Sequence, residues 1–166
     1  MIYLIWLLRI IHIVAGVFWV GGTLIMTFFV SPSVSAMGES GQKFVGHLMN
    51  NLKFSNRIGA AAGSTILAGF LLFWLDARAG EAWVRSSFAT GLGIGAAFAL
   101  VGFGLGIMSG RSSRAMAQVG AQIQGKPSPE QVAQMQAIQK RRSAYSTITA
   151  ITLVLAVVFM AIARYL

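Results

Sequence analysis

The chain has no cysteine and only four acidic residues among its 166. No cysteine means no disulfide, no thiolate metal ligand and no cysteine nucleophile, and it leaves the redox compartment open. Charged residues make up 10% of the chain, where a soluble domain carries about 25%. None of the carboxylates falls inside an apolar run; Asp76 sits just beyond one. The acidic relay of a proton or cation pathway is therefore weak here. A Walker loop, a dinucleotide fingerprint after a strand, HExxH and GxSxG are all missing. Nucleotide chemistry and hydrolysis have no support.

What is present is hydrophobic: 56% of the residues, gathered into runs near membrane length. Such runs make the lipid bilayer the expected solvent. The organising stretch is 9–30, RIIHIVAGVFWVGGTLIMTFFV, which carries His12, Gly16, Trp19 and Thr23 at helical spacing. Its apolar core is too long for a signal peptide, and no clean small-residue cleavage site follows a basic n-region. It reads as a mature helix.

The expected fold is all-α: a polytopic membrane protein, one domain over 1–166, built as a four-transmembrane-helix bundle. The spans fall at about 3–29, 58–75, 88–108 and 144–163. Pro32 restricts Ser31 and favours an exit from helix 1, so 31–43 reads as a polar connection. Residues 44–57 read as a short interfacial helix or as the protruding start of helix 2. One helix over 44–75 would be roughly 48 Å long, well beyond a hydrocarbon core of roughly 30 Å. Gly59/Gly63, Gly91/Gly95 and Gly102/Gly106 have the four-residue spacing that lets helices approach closely. Residues 109–128 form the longest polar connection. Ser128, Pro129 and Glu130 make a strong helix start, and a helix begun there extends on the cytosolic side into helix 4.

The net charge of +9 points to orientation rather than nucleic acid, because the basic residues flank apolar runs. The connections 31–57 and 109–143 hold Lys43, Lys53, Arg57, Arg111, Arg114, Lys126, Lys140, Arg141 and Arg142. The other side holds Arg78, Arg85, Arg164 and a snorkelling Arg9. This imbalance puts both long connections in the cytoplasm and both termini outside.

His12 is the sharpest candidate for chemistry. An ionisable residue inside a span is costly and usually faces the bundle interior. Its imidazole suits heme iron or copper, interhelical hydrogen bonding, or a proton or substrate role. Arg9, three residues earlier, shares its face; it suits a heme propionate or the lipid headgroups. Gly16, one turn on, gives room for a flat macrocycle or for a neighbouring helix. Trp19 suits stacking on a cofactor or a place in the core. Met160 falls in the outer half of helix 4 and is a candidate second axial ligand for an iron held by His12, whereas Met26 and Met108 fall toward the cytoplasmic end; methionines are also common core fillers. His47, near Asn50, Asn51 and Arg57, reads as an interfacial or surface histidine, roughly 20 Å from His12 across the bilayer.

The run His12-Ile-Val-Ala-Gly16-Val-Phe-Trp19-Val-Gly21-Gly22 resembles the first helix of the copper resistance D-like membrane domains and of the HemJ-type protoporphyrinogen oxidases. Lys140-Arg141-Arg142 and the terminal 160–165 look like small members of that neighbourhood. The HemJ-like branch implies His12 as a heme ligand, with porphyrinogen oxidation or electron exchange with quinone. The lysine which that pattern wants in a later span is missing: Lys43, Lys53, Lys126 and Lys140 all lie in polar connections. The copper-related branch implies copper on His12 and nearby methionines. The expectation is a protein of the bacterial inner membrane that binds b-type heme through His12 and acts in electron transfer or heme-linked redox chemistry. It is expected as a homodimer or alongside other membrane subunits. The alternatives are a structural or assembly subunit without a cofactor and a copper-handling protein.

Overall fold

The computed structural model describes residues 2–123 and 125–166. Among them every regular element is helical: α1 Ile2–Ile25, a π-turn Met26–Val30, α2 Ser31–Ala36, α3 Gly38–Asn50, α4 Phe54–Ala77, α5 Glu81–Val84, α6 Ser87–Ala121, α7 Pro129–Ile162 and a closing 3-10 turn Ala163–Tyr165. Four helices are long and apolar enough to cross a bilayer. Their outer faces carry large apolar side chains, among them Ile13, Val17, Phe29, Leu67 and Phe70. Such a surface suits lipid, not water. The chain is a multi-pass membrane protein.

Three boundaries differ from the sequence expectation, each for a local reason. Pro32 does not end helix 1, which continues from Ile2 to Ala36. The amide of Ser31 donates to the carbonyl of Met26, one residue farther back than α-helical spacing. The π-turn absorbs an extra residue, and Pro32 falls in the first turn of α2, where no helical amide is required. The expected connection 31–43 is thus mostly helix. The chain reverses at Met37 and Gly38, whose φ of 58° suits glycine. Gly41 then packs on the backbone of Val34.

Residues 44–50 belong to the separate α3 and 54–57 to the first turn of α4, so the structure combines the two expected forms and helix 2 starts at Phe54. A break at Asn51–Lys53, with Lys53 at φ 50°, precedes α4. The expected connection 109–128 is also mostly helix, since α6 runs on to Ala121. Ser112 and Ser113 donate their hydroxyls to the carbonyls of Met108 and Ser109, and Val119 is buried. At roughly 52 Å, α6 exceeds the hydrocarbon core. The reading of α7 holds: it is continuous from Pro129, with a full capping box between Ser128 and Gln131.

The tight pairs are α1 with α4 and α6 with α7. Along α6, small residues face α7 in antiparallel step: Gly91 on Ala163, Gly95 on Ala156 and Met160, Gly102 on Thr152 and Leu153. A Cβ at any of these glycines would come within about 3 Å of a neighbour, so the absent side chain is what sets the spacing. Ser109 and Ser146 hydrogen-bond across the same seam at 2.9 Å. Gly59 and Gly63, by contrast, meet nothing within 4 Å. Trp19 joins the two pairs. It is 4% exposed, packs with Ala62 of α4 and Leu153 of α7, and meets the ring of Phe103 of α6 edge-on at 6.2 Å.

Candidate functional site

The site begins with the register of α1 against α4. His12 faces Gly69, Gly16 faces Thr65, Trp19 faces Ala62 and Gly22 faces Ile58. A glycine or alanine meets a larger side chain at each step, and the sequence folds this way because three- and four-residue spacing keeps each set on one helix face. A Cβ added to Gly69 would lie 2.7 Å from Cε1 and 2.9 Å from Nδ1 of His12. The imidazole fills the space which that glycine leaves.

His12 is half-buried. Its Nδ1 lies 2.8 Å from the backbone carbonyl of Thr65. A carbonyl only accepts, so Nδ1 carries the proton and donates it. In the neutral ring Nε2 then holds a lone pair, and among the described residues it has no hydrogen-bond partner. The hydroxyl of Thr65 is occupied elsewhere, donating to Ala61 at 2.8 Å. An interhelical hydrogen bond within a membrane contributes about 0.6 kcal/mol on average and at most about 1.7. Its stronger effect is on orientation: one tautomer, one ring plane and a free Nε2.

The other sequence-derived candidates scatter. Gly16 gives close contact, since a Cβ there would lie 3.4 Å from Cγ2 of Thr65. Trp19 is in the core. Thr23 donates to the carbonyl of Trp19 in its own helix at 2.8 Å. Arg9 is exposed one turn before His12. Met160 packs on Gly95 in the α6–α7 seam, whereas His12 lies in the α1–α4 seam. His47 is exposed in the last turn of α3. Among the described residues no three His, Cys, Asp or Glu side chains converge.

No family model, curated protein or solved structure matches this chain. The four-span all-α bundle therefore stands on its own helices and seams. The partners that sequence reasoning missed are Thr65 and Gly69. Their four-residue spacing on helix 2 was the available signal, and it mirrors His12 and Gly16 on helix 1.

Proposed function

We propose that the chain is a membrane protein that binds b-type heme through Nε2 of His12 and acts in electron transfer or heme-linked redox chemistry. One observation carries the reading: Nδ1 is tied to the Thr65 carbonyl at 2.8 Å. Holding the second ring nitrogen on a carbonyl is how proteins fix the tautomer and raise the basicity of a histidine that ligates a metal. The residues present fit an axial ligand of this kind. Gly69 makes room for the ring, and Arg9, one turn away, supplies a guanidinium for a propionate. When bound, the heme supplies a one-electron couple. The protein holds the ligand's orientation and keeps the surroundings apolar.

The orientation we propose places both termini outside a bacterial cytoplasmic membrane, with 31–57 and 109–143 in the cytoplasm, following the basic residues of those segments.

A second reading has its own support. The His12–Thr65 bond is complete without a cofactor, which fits interhelical glue in a structural subunit. The deciding experiment is an oxidised-minus-reduced visible spectrum of detergent-purified protein, expressed with heme precursor supplied, with iron and copper quantified on the same sample. A Soret and a sharp alpha band, both lost in His12→Ala, are expected. Copper in place of iron would move the assignment to copper handling. Colourless, folded protein without either metal would leave His12 as glue.

A further inference from the structure

Where the π-turn of helix 1 passes α7, the two helices leave a cavity of about 160 Å³. Its walls are mainly polar, beside spans whose outer faces are apolar. They include Thr27 and Ser31 from helix 1, and Gln139, Arg142, Ser143 and Ser146 from α7. No carboxylate lines it. The chain's four acidic residues are Glu39, Asp76, Glu81 and Glu130. Two of them are engaged elsewhere, Glu39 with Lys43 and Glu81 with Arg85.

Arg142 is half-buried, and its guanidinium donates to the hydroxyl of Ser31 at 3.2 Å. A guanidinium has five N–H donors. Among the described residues Arg142 makes this one side-chain hydrogen bond and no ion pair. A half-buried cation with donors to spare, facing hydroxyls and an amide, has the chemistry that recognises a tetrahedral oxyanion. Its height in the bundle fits as well. Arg142 lies two residues before the apolar run 144–163, and Ser31 two residues after 3–29. The cavity therefore lies near the level at which headgroup phosphates begin.

We propose that this cavity is a binding site for a phosphate group, held by the forked guanidinium of Arg142 and the surrounding hydroxyls. The phosphate comes either from the headgroup of an anionic phospholipid or from a free phosphate in the adjoining aqueous phase. The proposal stands independently of His12.

The test uses the full chain in detergent. Binding of a short-chain phosphatidylglycerol and of inorganic phosphate is followed separately, by thermal shift and by native mass spectrometry. Saturable binding of the lipid, weakened at least about tenfold in Arg142→Gln but not in Arg141→Gln, is expected for a headgroup. The same pattern with inorganic phosphate alone assigns a free phosphate. Arg141 is exposed and does not line the cavity. Arg142→Lys keeps the charge and loses the fork, so weaker but measurable binding is expected; it also serves if Arg142→Gln fails to fold. No saturable binding of either probe, or equal binding by the wild-type chain and Arg142→Lys, overturns the proposal.

Discussion

At Gly69 a single missing methyl group decides how His12 sits. Gly69→Ala puts a carbon within 2.7 Å of the imidazole, so the ring or the seam must move. The expected cost is about 1–3 kcal/mol, read as a lower midpoint of unfolding in detergent. In a His12→Ala background the penalty should shrink by at least about 0.5 kcal/mol, because the two positions are in contact. Strictly additive penalties would mean that the ring does not occupy that space. Thr149 behaves oppositely. It is 3% exposed, and its hydroxyl finds no hydrogen-bond partner among the described residues. Thr149→Val keeps the shape and removes the orphaned group, so a gain of about 1 kcal/mol is expected. A loss of that size would show that the hydroxyl is paired.

Among the elements, α7 depends most visibly on its start. Ser128 accepts from the amide of Gln131, and the Gln131 side chain accepts from the amide of Ser128. Ser128→Ala should cost about 1 kcal/mol. The effect should be confined to the first turns, seen as faster hydrogen exchange near Gln131 and Val132 and unchanged exchange near Leu153. This helix start was legible because capping is written in side chains. The four spans were legible because apolar runs of that length have few other solutions. The ends of helices 1 and 3 were not. Pro32 read as an exit from helix and 109–128 as a polar connection, but a π-turn accommodates Pro32 and serine hydroxyls bond back to the preceding turn. The site was half legible. His12 stands out as a histidine in an apolar run. Its partner is a backbone carbonyl, which every residue possesses, and Gly69 is one of 19 glycines. Lys140-Arg141-Arg142 read as a flanking charge run, and nothing in three adjacent cations says which one turns inward.

For the whole molecule, the arrangement of charge and the absence of cysteine make the topology directly measurable. Ser113→Cys lies on the extension of α6 and Ala79→Cys between α4 and α5, and both positions are exposed. A membrane-impermeant thiol reagent on intact cells should label position 79, and position 113 only after permeabilisation. No native thiol adds background. Labelling of 113 first would invert the orientation proposed here, and labelling of both from one side would contradict four crossings. The π-turn of helix 1 also matters at this scale. A helical wheel drawn straight through α1 puts Ser31, nineteen positions after His12, roughly 100° round the axis from it. One extra residue in the winding takes up about that angle. The turn therefore resets the phase of the helix and carries Ser31 back beneath His12, Gly16 and Trp19. A single azimuth of helix 1 thereby serves the bundle interior along its full length, touching α4 near one end and Arg142 of α7 near the other.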